Sequence, residues 1–100
     1  MNQMQQMLMQ AQKMQRELQK AHDALAQKEF TLKKAGIVEV VVMGDKTIKS
    51  ISIDEEAMKD GEAELIQDTL IMALNEAFET IQKENDEIEE RITGRSGLPF

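Results

Sequence analysis

The chain lacks cysteine altogether, and tryptophan and tyrosine are also absent from its 100 residues. Without cysteine it can form no disulfide, thiolate metal site or cysteine nucleophile, and this composition is typical of a reducing compartment. Three phenylalanines are too few to offer a platform on which single-stranded nucleic acid stacks. Apolar runs such as residues 40–43 are far too short to cross a bilayer. The Met- and Gln-rich start has no basic region before an apolar run and does not resemble a signal peptide. We therefore expect a soluble cytoplasmic protein with no membrane partner.

The charge is negative overall and unevenly distributed. The formal net charge is -7; residues 1–50 hold eight basic and five acidic side chains, whereas residues 51–100 hold four and fourteen. Such asymmetry can mark an interaction surface, but a negative net charge repels phosphate. Net charge alone therefore argues against nucleic-acid binding.

The first quarter of the chain has the spacing of an amphipathic helix. Apolar or small residues recur every three or four positions, at Met4, Met7, Ala11, Met14, Leu18, Ala21 and Leu25. The residues between them are good helix formers, without glycine or proline. The pattern predicts a helix from about Asn2 to Gln27.

The pattern then changes to that of strands, in segments 30–32, 37–43 and 46–53, separated by Gly36 and by Gly44-Asp45. This arrangement predicts a three-stranded antiparallel meander. In the last segment Ile48 does not share the parity of Ile51 and Ile53. Either a bulge lies near Lys49 and Ser50, or Ile48 faces the opposite side of the sheet.

A second long helix follows the sheet. Asp54 is expected to cap a short turn over residues 55–59, and Asp60 or Gly61 to cap the long helix, which ends before Gly94. Its apolar stripe is interrupted at Glu84 and Asn85 and consists of Ile66, Leu70, Ala73, Leu74, Ala77, Ile81, Ile88 and Ile92. The expected fold is a single α+β domain over residues 1–100, with helical regions 1–28 and 61–93, a sheet over 29–54 and a tail over 94–100.

The two long helices flank the sheet in sequence, so we expect them to pair antiparallel, with residues 1–13 beside residues 88–95. One sheet face is then covered, and the other, which we expect to be apolar, requires a partner. A two-fold copy of the chain would bury it. The sequence thus predicts an obligate homodimer whose interface includes Ile37, Val38, Val40, Val42, Ile51 and Ile53.

No catalytic or metal-binding pattern emerges. The single histidine, His22, has only its neighbour Asp23 nearby in sequence, and the serines and glycines form neither a nucleophile elbow nor a phosphate-binding loop. The acids of residues 54–60 do not follow the order of a calcium loop. We predict no enzyme activity, no cofactor and no metal.

Charged residues remain as candidates for binding. Lys13, Arg16 and Lys20 lie on one stripe opposite the apolar residues of the first helix. Arg91 and Arg95 lie at or just beyond the end of the second helix and are expected near Lys13. These cations suit either phosphate contact or simple solubility. The acidic run Glu84, Asp86, Glu87, Glu89 and Glu90 is either a solvated face or a docking surface for a protein.

Several short motifs in order along the chain resemble the YbaB/EbfC family. They are residues 9–15 (MQAQKMQ), 36–40 (GIVEV), Gly44, 51–54 (ISID), Asp68 with Leu70, Ile71, Ala73, Asn75 and Ala77, and a tail with Gly94 and Gly97-Leu98-Pro99. The resemblance implies a tweezers-like homodimer whose joined sheets form the body and whose paired helices form two prongs that hold duplex DNA. It also implies a nucleoid-associated role with little sequence specificity.

The chain departs from the family pattern at three places. Met9 and Glu39 occupy positions where the family usually has lysine, and Lys33-Lys34-Ala35-Gly36 replaces a glycine-rich run. The missing cation at Met9 would weaken the grip on DNA, and Lys33 and Lys34 would offset it on the body. Two hypotheses follow: a DNA-binding protein that contacts backbone phosphates, and an adaptor that binds a protein through its acidic second helix.

Overall fold

The computed structural model describes residues 2–94 and confirms the predicted α+β architecture. Two long helices flank a three-stranded sheet, and the molecule is 71 Å long but only 22 and 14 Å across. In chain order the elements are α1 (Gln3–Ala26), β1 (Glu29–Lys34), β2 (Val38–Met43), β3 (Ile48–Ile53), α2 (Glu55–Lys59) and α3 (Ala63–Thr93).

Helix α1 begins and ends where the sequence predicts. The Asn2 side chain accepts a hydrogen bond from the backbone N–H of Gln5 at 2.8 Å, and the Gln5 side chain accepts one from the backbone N–H of Asn2 at 3.4 Å. This reciprocal capping box satisfies backbone donors that have no partner inside the helix. Gln27 caps the other end.

The sheet is the predicted antiparallel meander, in the order β1-β2-β3. Val41 is opposite Ser50 but Val42 is opposite Ile48, so Lys49 is an extra residue in β3. Of the two alternatives that the sequence left open, the bulge near Lys49 and Ser50 is the one observed. Because of it, Ile48 and Ile51 lie on the same sheet face despite their odd spacing.

The core lies between one face of the sheet and α3. Val38, Val40 and Val42 of β2 pack with Ala73, Ala77 and Ile81 of α3, and Val40 and Val42 are completely buried. Alanine at two of the α3 positions removes side-chain bulk, so the helix lies close to the strand. Phe30, Leu32, Leu74 and Phe78 are half-buried around this cluster.

The opposite sheet face is not the apolar surface that we expected from the sequence. Val41 and Met43 are half-buried there, but their cross-strand neighbours are polar: Thr31 and Ser50 are opposite Val41, and Glu29 is opposite Met43. The expectation was wrong because it rested on the apolar side chains of β2. On this face of the sheet, β1 and β3 place polar residues beside them.

The entry into α3 also differs from the prediction. Asp54 caps α2 as expected, since its side chain accepts a hydrogen bond from the backbone N–H of Ala57 at 3.2 Å. The N-cap of α3 is Glu62, however, and not Asp60 or Gly61. Asp60 closes α2, and Gly61 adopts a φ of 70°, which turns the chain before the next helix can begin.

Gly44 joins the sheet to α1. A Cβ at this position would lie 1.7 Å from the carbonyl oxygen of Leu25, and the Gly44 backbone N–H donates a hydrogen bond to the carbonyl of Lys28 at 2.9 Å. Only glycine permits this approach of β2 to the end of α1. We call the sheet together with α2 and residues 63–80 of α3 the body of the molecule. The contact at Gly44 fixes where α1 leaves the body.

Candidate nucleic-acid interface

Beyond the sheet, α1 and the outer part of α3 (residues 81–93) pack side by side, and we call this pair the prong. His22 Nε2 lies 3.2 Å from Glu89 Oε1, and Lys28 Nζ donates to Glu84 Oε1 at 2.6 Å. These contacts set an antiparallel register in which residues 88–93 of α3 lie beside about residues 18–23 of α1.

This register differs from the expected pairing of residues 1–13 with residues 88–95. The reason is that α3 covers the sheet with residues from Leu70 to Ile81, so it first meets α1 near Ile81 and Leu25, which line one cleft. Only about thirteen residues of α3 remain to accompany α1. The outer part of α1, about residues 3–17, therefore extends past the last described residue of α3.

The three cations predicted on α1 do share one exposed stripe. Lys13, Arg16 and Lys20 are all exposed, on the side of the helix away from the half-buried Leu18 and the buried Leu25. Within residues 2–94 none of them forms a salt bridge. We call these three residues the cationic stripe. Met9 is exposed and lies one turn further out on the same side of α1.

Four other lysines have acidic partners, whereas Lys46, Lys59, Lys83 and Arg91, like the cationic stripe, form no salt bridge within residues 2–94. Lys33 pairs with Glu39 at 3.6 Å, Lys49 pairs with Glu29 at 2.7 Å, and Lys34 pairs with Glu76. Lys28, at the junction with the prong, pairs with Glu84. The structure thus gives Lys33 and Lys34, which we considered as replacements for the missing cation at Met9, acidic neighbours of their own.

Arg91 is not close to Lys13. It is exposed and lines a cleft between the helices with Ala21, Ala24 and Leu25, level with Lys20. About seven residues, or roughly 11 Å along α1, separate that level from Lys13. The other cation predicted near Lys13, Arg95, lies outside the described residues.

The acidic run of α3 is partly engaged inside the chain. Glu84 contacts Lys28, Glu89 contacts His22, and Asp86 accepts a hydrogen bond from Gln82 at 3.1 Å. Glu87 and Glu90 are exposed. The interruption of the apolar stripe at Glu84 therefore has a local explanation, because a lysine at the base of the prong neutralises this carboxylate.

The residues predicted for a dimer interface occupy two different places. Val38, Val40 and Val42 are buried against α3 of the same chain, and Ile37 and Ile53 are half-buried beside them. Ile51 is 42% exposed on β3. Within residues 2–94, β3 pairs with β2 alone and its outer edge has no partner.

Ile48 was not among the residues predicted for the dimer interface. It is 44% exposed on the same strand and the same sheet face as Ile51. Its odd parity concealed this relation, which follows directly once the bulge is placed at Lys49.

No helix in the described part of the chain is long and apolar enough to span a membrane. No group of three or more histidine or acidic side chains in residues 2–94 is arranged to hold a metal ion.

Comparison with known proteins identifies the family to which this architecture belongs. The model of the YbaB/EbfC DNA-binding family matches residues 1–96. The chain belongs to that family, which is a family of DNA-binding proteins and not of enzymes.

Relatives agree with this assignment over nearly their whole length. A nucleoid-associated protein of Metamycoplasma arthritidis is 37% identical over 90 residues, which cover 90% of this chain and 94% of the relative. A nucleoid-associated protein of Enterococcus faecalis is 39% identical over 87 residues, covering 86% and 84%. The crystal structure of the uncharacterized protein HP0035 from Helicobacter pylori shares the fold, with a TM-score of 0.74 at 21% identity, covering 93% of this chain and 98% of that one.

Proposed function

We propose that this protein is a nucleoid-associated protein that binds duplex DNA with little sequence specificity, through the backbone phosphates, in the cytoplasm. The observation that carries the proposal is the cationic stripe. Its three side chains are exposed and form no salt bridge within residues 2–94, whereas four lysines of the body and junction are each paired with an acid. Cations without a protein partner can exchange their counterions for phosphates without breaking an internal contact.

The spacing of the stripe suits a phosphate backbone better than base edges. Lys13, Arg16 and Lys20 are spread over about two turns, or roughly 10 Å, of a straight helix. Sequence readout depends on side chains that reach base edges in a groove, whereas contacts to phosphates position the protein and carry no sequence information. The stripe holds one arginine and no asparagine, so we expect similar affinity for unrelated duplexes.

The protein acts, in this proposal, as a homodimer joined along β3. The outer edge of β3 has unpaired backbone donors and acceptors within residues 2–94 and exposes Ile48 and Ile51. Such an edge is a template for a strand from another chain. Antiparallel pairing of two β3 strands would merge the sheets and cover these isoleucines, and two-fold symmetry would place one prong on each side.

The test is fluorescence anisotropy with two unrelated duplexes at about 50 and 200 mM salt, a range over which phosphate-driven binding weakens strongly. Because the dimer would carry a charge of twice -7, binding must come from local cations and must fall steeply with salt. Replacing Lys13, Arg16 and Lys20 together with Gln should reduce affinity at least tenfold on both duplexes and flatten the salt dependence.

A matched control removes the same charge from the body. The variant with Lys33, Lys46 and Lys49 changed to Gln should bind nearly as well as the unmodified protein, because two of these lysines already have acidic partners. Loss of binding in the body variant and retention in the stripe variant would overturn the proposed site. A protein that binds neither duplex at low salt would instead favour the adaptor function, for which exposed Glu87 and Glu90 are available.

A further inference from the structure

Helix α3 covers β1 and β2 and leaves much of β3 uncovered. Glu76, on one side of the helix, contacts Lys34 of β1, and the core beneath the helix is built on the valines of β2. Ile48 and Ile51 of β3 lie on the same sheet face as these valines, yet they are 44% and 42% exposed. The core face of the sheet thus ends in a strand whose apolar side chains are only partly covered by the described part of the chain.

The side of α3 that faces β3 is apolar as well. Gln82 accepts a hydrogen bond at 3.2 Å from Lys46, in the turn between β2 and β3, and this contact identifies the side. Phe78 and Ile71 share it, because they precede Gln82 at helical spacing. Phe78 is half-buried and Ile71 is 57% exposed. Helix and strand together present an apolar surface beside a free strand edge, which is uncommon outside an interaction site.

The backbone of β3 specifies which residues can pair with another strand. The N–H of Asp54 donates a hydrogen bond to the carbonyl of Ile37 at 2.7 Å. Because backbone direction alternates along an antiparallel strand, Asp54 and Ser52 both direct their N–H and C=O groups toward β2. Ile51 and Ile53 therefore direct theirs outward, to the edge that has no partner in residues 2–94. Before Ile51, the bulge disturbs this alternation.

We propose that two copies of the chain join along β3 in a single register, with Ser52 of one copy opposite Ser52 of the other. This inference rests on the homodimer of the proposed function and defines its interface. In this register Ile51 of each copy pairs with Ile53 of the other, so all four residues use their outward backbone groups. A two-fold pairing centred on Ile51 would instead place Ile53 opposite Lys49, where the bulge interrupts the ladder.

The side chains make β3 complementary to itself in this register. Ile51 and Ile53 of the two copies become cross-strand neighbours on the core face and cover one another. Glu55, which follows the strand, comes beside Lys49 of the second copy, so opposite charges meet at both ends of the interface. The two-fold axis also places both α3 helices on one face of a six-stranded sheet, with Phe78 of each beside the joined strands.

The absence of cysteine from the chain permits a direct test in the full-length protein. Ser52→Cys would place two thiols opposite each other, with Cα atoms about 4.5 Å apart, which is within the range of a disulfide. Ser50→Cys is the matched control, since Ser50 is also exposed on the same sheet face. Its two copies would lie about 13 Å apart along the strands, too far for a disulfide.

We expect Ser52→Cys to form an interchain disulfide roughly ten times faster than Ser50→Cys, or more, because only Ser52 meets its own copy within disulfide range. The measurement is a non-reducing gel after mild oxidation. Equal rates, or a faster reaction of Ser50→Cys, would overturn the register.

Sedimentation of the unmodified protein separates failure of the register from failure of the dimer. A mass of two chains with no cross-link in either variant would overturn the β3 interface and leave the dimer standing. A mass of one chain at micromolar concentration would overturn both. The experiments contain no DNA, so their outcome is independent of whether the protein binds a duplex.

Hydrogen exchange compares the two edges of the sheet without any substitution. The N–H of Gly44 donates to the carbonyl of Lys28, so by the same alternation Thr31 and Lys33 direct their amides away from β2 at the β1 edge. Amides of Ile51 and Ile53 should exchange roughly tenfold slower than these, because each donates to the second copy. Equally fast exchange at both edges, or protection of β1 alone, would overturn the proposal.

Discussion

The body and the prong of this molecule are stabilised in different ways. In the body, three valines of β2 are buried under α3, and Lys33, Lys34 and Lys49 each have an acidic neighbour. In the prong, the cationic stripe of α1 has no acidic partner within residues 2–94, and the outer apolar face of the helix is exposed there. The prong is also held by internal contacts, His22 with Glu89 and Lys28 with Glu84, but the three cations of the stripe take no part in them.

The largest expected effect comes from a charge in the body. Val40→Asp should destabilise the protomer by about 3 to 5 kcal/mol, because it places an uncompensated carboxylate at a completely buried position. The measurement is the midpoint of urea unfolding. Ile51→Asp is the contrasting variant: at the exposed β3 edge it should leave the protomer folded while the mass in solution falls to that of one chain. A Val40→Asp protein with an unchanged midpoint would contradict the core described above.

Gly44 tests the joint between the two regions. Gly44→Ala should cost about 1 to 3 kcal/mol, since the added methyl collides with the carbonyl of Leu25 and pushes α1 away. Hydrogen exchange should show faster exchange of α1 amides. Gly36→Ala is the control: its φ of 66° makes alanine unfavourable by about 1 to 2 kcal/mol, but its Cβ meets no atom within 4 Å. If both variants leave α1 exchange unchanged, Gly44 does not position the prong.

The salt dependence of DNA binding sharpens the comparison further. For each phosphate that the protein no longer neutralises, the slope of log affinity against log salt should become shallower by about 0.9. Arg16→Gln should therefore change the slope by roughly 1 to 2, depending on whether one or both prongs of the dimer contact the duplex. Lys33→Gln should leave the slope unaltered because Lys33 already pairs with Glu39. A larger change in slope with Lys33→Gln than with Arg16→Gln would place the DNA contacts on the body.

The smallest expected effect is an increase in DNA affinity. Met9 is exposed on the same side of α1 as the cationic stripe, so Met9→Lys should add one phosphate contact per prong and increase affinity at low salt severalfold. Leu8→Lys adds the same charge to an exposed position about 100° away around the helix and should increase affinity less. Equal gains would indicate that general charge, and not the stripe, limits binding.

The sequence predicted those parts of the molecule that depend on local pattern. Period and capping were sufficient for α1, where Asn2 and Gln27 flank the observed helix, and parity was sufficient to suggest the bulge at Lys49. The helix register was not predictable in this way. It depends on how much of α3 packs against the sheet. It also depends on the pairs His22–Glu89 and Lys28–Glu84, which join residues 67 and 56 positions apart.

The residues of the candidate site also fall into those predictable from one helix and those that depend on contacts between elements. The cationic stripe is a property of one helix, so spacing alone placed Lys13, Arg16 and Lys20 together. The position of Arg91 depends on the register between two helices and was misplaced by about two turns of α1. The polar second face of the sheet was missed for a similar reason, because it is set by cross-strand neighbours that the pattern of β2 does not contain.

The capping box at Asn2 and Gln5 has a consequence for the order in which α1 melts. Isolated helices shorter than about 12 to 15 residues are marginal in water, and residues 3–17 have about that length and no cover from the described part of α3. Fraying should therefore start at this end, while Leu25 holds the other against the sheet. The cap opposes that fraying by satisfying the first backbone donors. Helix α1 is thus a graded element, firm at the sheet and most easily unwound at the tip, where a change of solvent should shift its helicity most.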